Sequence, residues 1–227
     1  VRRGLGVGVY ASGAGILSPN GDGIGETLPM GMGVDTDLTE AVATWTMLDA
    51  FGTEVLPAPV PFDVTALGAD TNVAFTIDPF AQGASLSDGE YSVKVVLTGT
   101  VDGRSFSGTA STTVTVDTTA PALDGAVPTV ASFNPEYDDW SKQYRNEVVF
   151  TVSRSGPSPY TDRADVIDAS GSVVLRNVDY GWWNSGRIAW NGRDRNARVL
   201  PEGAYRLRLT VSDYIGNQTV VVSSEVT

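Results

Sequence analysis

The chain has 227 residues, 41% of them hydrophobic, enough for two cores of ordinary domain size. It contains no His and no Cys, which excludes Ser-His-Asp and Cys-His catalysis and any imidazole or thiolate metal site within the chain. The net charge of −12 is concentrated early, with 14 acidic and 4 basic side chains in residues 1–117 against 13 and 11 in 118–227, so nucleic acid and anionic membrane are not expected partners.

Taken in order, the chain opens on Val1-Arg2-Arg3 rather than Met, and is expected to be a portion of something longer. Leu5, Val7 and Val9 alternate like a strand that either starts the first domain or finishes a preceding one. Ser18-Pro19-Asn20-Gly21-Asp22-Gly23-Ile24-Gly25-Glu26 follows, a loop of oxygen-bearing side chains spaced by glycines. Leu28, Met30, Met32 and Val34 then alternate with the period of two of a half-buried strand. Trp45 is expected in the core, three residues before a Leu48-Asp49-Ala50 turn. Phe75 is assigned the same structural place as Trp190 further on.

Ser87-Asp88-Gly89-Glu90-Tyr91 leads into a strand with Val93, Val95 and Leu97 on one face. Asp102-Gly103 marks a tight hairpin, because both residues tolerate positive φ. Beyond it, the Thr- and Ser-rich run from Thr109 to Val116 is β-branched and poor helix material.

After the linker Val116-Asp117-Thr118-Thr119-Ala120-Pro121 the text repeats. Met47-Leu48-Asp49-Ala50-Phe51-Gly52 returns as Val166-Ile167-Asp168-Ala169-Ser170-Gly171, and Ser87-Asp88-Gly89-Glu90-Tyr91 as Pro201-Glu202-Gly203-Ala204-Tyr205, at offsets of 119 and 114 residues. The repeating unit is therefore a domain. The boundaries expected are 1–117 and 118–227. Val148, Phe150 and Val152 continue the strand pattern, and Tyr205, Leu207, Leu209 and Val211 give its clearest example. A Tyr just after a turn, at the start of a late strand, is the position of a tyrosine corner. No helical periodicity is found, and the fold class expected is all-β, two tandem Greek-key sandwiches of about seven strands each.

Two places invite chemistry. Asn20, Asp22 and Glu26 place side-chain oxygens where a curled, glycine-rich loop brings them onto one hard cation, for which calcium is suited. The loop lacks the frame of an EF-hand, and the same string also builds a rigid Asx and glycine turn. Its counterpart, Phe133-Asn134-Pro135-Glu136-Tyr137-Asp138-Asp139-Trp140, keeps the acids and loses the glycines. The second place is Trp182-Trp183 beside Tyr180, read as a strand whose adjacent rings face opposite sides, one of them free for ligand contact or for packing between domains. Asp138-Asp139 as a glycosidase pair is set aside, since neighbouring loop carboxylates are solvated. No catalytic residue is assigned.

The string Leu17-Ser18-Pro19-Asn20-Gly21-Asp22-Gly23, the Leu-Asp-Ala-x-Gly turn, the Asp-Gly-x-Tyr corner and the Val-Asp-Thr-Thr-Ala-Pro exit resemble the fibronectin type III-like modules found in tandem behind the catalytic domains of bacterial secreted and cell-envelope subtilases. Trp190-Asn191-Gly192-Arg193-Asp194 with Pro201-Glu202-Gly203-Ala204-Tyr205 and Asp213-Tyr214-Ile215-Gly216-Asn217 is also similar to the Ig-like domain of flagellar hook-capping proteins and to sorting-associated modules of gliding bacteria. The first copy has Phe75-Thr76-Ile77-Asp78 in place of the Trp-x-Gly-x-Asp element, and the second lacks the Asn-Gly-Asp-Gly loop. The resemblance implies a secreted or cell-surface bacterial protein and a non-catalytic accessory or spacer role. The partners it implies are other domains of the parent protein, or cell-wall or surface polysaccharide or protein, without membrane insertion. A carbohydrate- or protein-binding adhesion role for the second copy's aromatics is the alternative.

Overall fold

The computed structural model describes residues 6–69, 71–136, 146–155, 159–178 and 182–227, with side chains at all of these but Trp182 and Trp183. The chain divides between Thr119 and Ala120 into two compact units.

The first unit contains β1 (Val7–Ala11), β2 (Ile16–Leu17), β3 (Leu28–Val34), β4 (Thr39–Leu48), β5 (Val60–Phe62), β6 (Asn72–Ile77), β7 (Gly89–Val101) and β8 (Arg104–Val116). Its sheets run β1-β3-β6 and β2-β8-β7-β4-β5, antiparallel except where β2 lies parallel to the end of β8. Because β1 pairs with β3 from Val7 to Ala11, this alternating stretch belongs to the first sandwich. The expected period of two is realised: Leu28, Met30, Met32 and Val34 are buried from one sheet, and Trp45, Met47, Val93, Val95 and Leu97 from the other, in a single core. Burying each such side chain contributes about 1.5–3 kcal/mol, which selects this register, since a one-residue slip would turn the whole set to solvent.

The longest element is the β7–β8 hairpin. Val101 pairs directly with Arg104, so the connection is the two residues Asp102 and Gly103, at φ of 50° and 71°. Positive φ at both positions gives the turn whose twist matches that of the strands.

The second unit contains β9 (Leu123–Pro128), β10 (Val148–Arg154), β11 (Thr161–Asp168), β12 (Val173–Leu175), the helical turn α1 (Trp182–Ser185), β13 (Arg187–Trp190), β14 (Tyr205–Ser212) and β15 (Gln218–Val222). Its sheets are β13-β10-β9 and β12-β11-β14-β15. Strand for strand this repeats the first unit, without a counterpart of β2 among the described residues. Both units are Ig-like, fibronectin type III-like sandwiches.

Two expectations are corrected. Trp182-Trp183 does not lie on a strand: the backbone makes a helical turn there and β13 begins only at Arg187, where Ser185 Oγ accepts the Arg187 amide at 3.2 Å and closes the turn. The argument from opposite strand faces therefore lapses. The counterpart of Trp190 is Ile77 rather than Phe75, since Trp190 pairs with Val148 at the start of β10 and Ile77 with Leu28 at the start of β3.

Both tyrosine corners form. The Tyr91 hydroxyl donates to Ser87 O at 3.0 Å and that of Tyr205 to Pro201 O at 2.7 Å. Burial, followed by the charge of Asp168, raises the pKa of the Tyr205 hydroxyl. In the first corner Asp88 also holds the exit segment. Its Oδ1 accepts the Thr118 amide at 2.7 Å and the Thr118 hydroxyl at 2.6 Å, and its Oδ2 accepts the Thr119 hydroxyl. These bonds, led by the Thr118 and Thr119 hydroxyls, hold the Asp88 carboxyl below the usual value of 3.8.

Tyr91→Phe and Tyr205→Phe are each expected to cost about 1 kcal/mol, read by chemical denaturation as earlier unfolding of the unit that carries the change. A depressed carboxyl stabilises the fold above its unfolded pKa and ceases to do so as pH falls through the folded one. The Asp88 contribution is thus present above the unfolded value of 3.8 and lost as pH falls through the lower folded value. Asp88→Asn should remove that acid dependence from the Thr118 amide shift in an NMR titration.

Candidate functional site

One five-residue turn occurs four times among the described residues. In the Asp49 version the Asp49 amide donates to Thr53 O at 2.9 Å, and Asp49 Oδ1 accepts the amides of Phe51 and Thr53 at 2.9 and 2.8 Å. The Asp168 version repeats this with Ser170 and Ser172, at 2.9 and 3.0 Å. Asp194 does so with Asn196 and Arg198, at 2.8 and 3.0 Å. Asp213 Oδ1 accepts three amides, from Ile215, Gly216 and Asn217. An anion shared among amides is stabilised by each, so the carboxyls of Asp168, through the Ser170 hydroxyl first, and of Asp194, through the Arg198 amide first, lie below the usual range. The Asp-x-x-Gly spacing at Asp49, Asp168 and Asp213 was available in the sequence as the signal for this turn.

The Asn20 to Glu26 loop is built the same way. Glu26 Oε1 accepts the amides of Gly21 at 2.6 Å and Gly23 at 3.2 Å. Asp22 Oδ1 accepts the Ile24 amide at 2.8 Å, and Asn20 Oδ1 the Asp22 amide at 2.9 Å. Asn20 Nδ2 donates to Asp22 Oδ2 at 3.2 Å, and the Ser18 amide reaches across the loop to Gly25 O at 2.7 Å. The structure thus brings Asn20, Asp22 and Glu26 into one hydrogen-bonded knot. Most of the oxygens that would face a cation already face amides, and Glu26 Oε2 is buried without a hydrogen-bond partner among the described residues. No group of three or more His, Cys, Asp or Glu placed to hold a metal occurs among the described residues. As arranged, the loop fits closure by its own amides better than a full ring of cation ligands.

Of the aromatic candidates, Tyr180 lies outside the described residues, and Trp182 and Trp183 are described only as backbone. An aromatic feature that was not foreseen lies elsewhere among the described residues. In the second unit a cleft of about 550 Å³ is walled by Phe133, Pro135, Trp190, Leu200, Pro201 and Tyr205, with Val199 at its mouth and Glu136 and Glu202 on the rim. The rings of Phe133 and Tyr205 each meet Trp190 edge to face, at 5.7 and 5.2 Å between centroids. The polar tips are tied back, Trp190 Nε1 donating to Arg193 O at 3.1 Å and the Tyr205 hydroxyl to Pro201 O. Gly192 is required here: its φ is 72° and a Cβ would lie 2.3 Å from Pro135. The cleft draws on four separate segments, the last of them Thr227, which is why sequence spacing concealed it.

No family model matches the chain, and no curated protein sequence matches it. Among solved structures the chain is similar to a tetra-tandem repeat from the extending region of a large adhesion protein, at 16% identity and TM-score 0.33, over 98% of this chain and 49% of that one. It thus spans about half of that structure. It is also similar to a two-domain fibronectin type III segment of chicken tenascin, at 10% identity, TM-score 0.28, over 94% and 95% of the two chains. The D0–D1 domain of intimin gives 13% identity and TM-score 0.25, over 97% and 96%.

Glu26→Ala is expected to cost about 1 kcal/mol by releasing two glycine amides to water. The measurement is the denaturation midpoint of the first unit, and a change confined to the second unit would contradict the assignment.

Proposed function

We propose that the chain is a pair of non-catalytic structural or interaction modules, a spacer or accessory region within a larger secreted or cell-surface bacterial protein. The observation that carries this is the use made of the acidic side chains. The carboxylates of Asp22, Asp49, Asp168, Asp194 and Asp213 each bond the backbone of their own turn. A catalytic carboxylate needs a proton or a substrate atom within reach, whereas these are committed to holding loops still. Rigid loops on two sandwiches suit a part that spaces or presents its neighbours. The bacterial, exported setting rests on the Ser18-Pro19-Asn20-Gly21-Asp22-Gly23 string and its family resemblance.

Hydrogen exchange tests this reading. The amides of Thr53, Ser172 and Arg198, all in exposed loops, are expected to exchange as slowly as strand amides, and exchange at the rate of open loops would sink it.

Calcium stiffening of the first unit is proposed on one atom, the buried Glu26 Oε2, through which a cation would join the knot. Binding to the folded state alone raises stability by mass action. Melting in calcium and in chelator should then differ for the first unit and agree for the second. Identical melts for both, or a shift that survives Asp22→Ala, would reduce the loop to an amide-closed turn.

A further inference from the structure

We propose that the cleft of the second unit takes a basic side chain, Lys or Arg, presented by a segment of a partner protein, with its aliphatic stem against the apolar walls and its cationic head between Glu136 and Glu202. The starting observation is the charge of the lining. Glu136 and Glu202 supply all of it, and no Lys or Arg lines the cleft among the described residues. Both carboxylates are exposed, and neither is held in an ion pair among the described residues. They differ in this from Asp168, Asp194 and Asp213, whose oxygens are taken up by the amides of their own turns. The nearest cations leave the cleft to others. The Arg193 guanidinium donates to Ala197 O at 3.0 Å and Pro135 O at 3.5 Å. Arg195 and Arg198 are exposed on the Asp194 turn, outside the lining. Two uncompensated carboxylates at the mouth of a recess favour a positive occupant and reject a negative one, and the net charge of −12 draws basic partners from a distance.

The walls select the rest of the occupant. Phe133, Pro135, Leu200, Pro201 and Tyr205 offer apolar surface beneath the acidic rim, the complement of a side chain that buries its methylenes and keeps its charge at the surface. A sugar is not what these walls suit. Trp190 is only 3% exposed, and the rings of Phe133 and Tyr205 meet it edge to face, so no indole face lies open for stacking. At about 550 Å³ the cleft falls within the ~300–1,000 Å³ of ligand sites, with room for the backbone on either side of the basic residue. Its walls are also fixed in advance, since Trp190 Nε1 and the Tyr205 hydroxyl are tied to the Arg193 and Pro201 carbonyls. Little ordering cost is then left for binding. Every group named belongs to the second unit, so the site is complete within it.

The inference goes beyond the spacer reading, which stands unchanged if it fails. The full chain is titrated with the capped tripeptide acetyl-Ala-Lys-Ala-amide and followed by NMR. Saturable shifts are expected at the Gly192 and Gly203 amides and the Trp190 indole, with a Kd on the order of 1 mM, weakening in ~1 M salt as the carboxylates are screened. Norleucine in place of the Lys keeps the stem and removes the charge, and should weaken binding about tenfold or more. Glu136→Gln combined with Glu202→Gln should weaken the Lys peptide as much while leaving circular dichroism and melting unchanged, both side chains being exposed. Glu136→Lys combined with Glu202→Lys should exchange the preference, so that acetyl-Ala-Glu-Ala-amide binds instead. No saturable shift from Lys or Arg peptides at roughly ten times the expected Kd overturns the proposal. So does equal binding of the norleucine peptide, binding that survives the Gln pair, or shifts at the cleft produced by a glucose oligosaccharide and not by the Lys peptide.

Discussion

Much of this structure depends on a single oxygen atom accepting several backbone amides at once. Oδ1 of Asp49, of Asp168, of Asp194 and of Asp213 each does so, and Glu26 Oε1 does the same for two glycine amides. Loop backbone that bends away from a sheet loses its ladder partners and must find others. A carboxylate placed at the entrance to the turn supplies them within five residues and fixes where the returning strand starts. That start sets the strand register, and the register decides which side chains form the core. The acidity of the chain is thus in part a structural device, which explains why a charge of −12 coexists with two ordinary sandwiches.

The parts legible in sequence were those whose physics is local. Alternation placed Met30, Met32, Leu207 and Leu209 inside, because a strand has a period of two whatever surrounds it. The Asp102-Gly103 hairpin and both tyrosine corners were legible because each is completed within a few residues of itself. What escaped depends on segments meeting at a distance. The short β2 is a strand only because the end of β8 lies alongside it. The helical turn at Trp182 to Ser185 is too short for periodicity to report. The cleft joins residues near 133, 190 and 200, which no spacing rule connects. The Asn20 to Glu26 loop shows a different limit: the oxygens and glycines that would enclose a cation are those that bond amides, so composition leaves the two outcomes open.

The two units differ at one edge. Ile77, Pro79 and Phe80 in the first stand where Trp190, Gly192 and Arg193 stand in the second. Beside the indole that replaces Ile, Gly192 leaves Pro135 room against the backbone. The first unit, with its smaller core residue, keeps a Pro and a phenyl ring there instead. One architecture therefore carries different side chains at this edge in its two copies, and in the second they line a cleft.

The β7–β8 hairpin has a kinetic consequence. Its thirteen register pairs are joined by two residues already suited to the turn, so closing it costs almost no chain entropy and can proceed by zipping. Apart from the β4–β5 pairing, the other contacts of the five-stranded sheet span 44 residues or more, from Leu48 with Ser92 upward, and the parallel contact of β2 with β8 joins positions 16 and 115. The hairpin is accordingly the natural nucleus of the first unit, and the β2 contact, formed only when the rest is in place, is the stitch that marks completed folding.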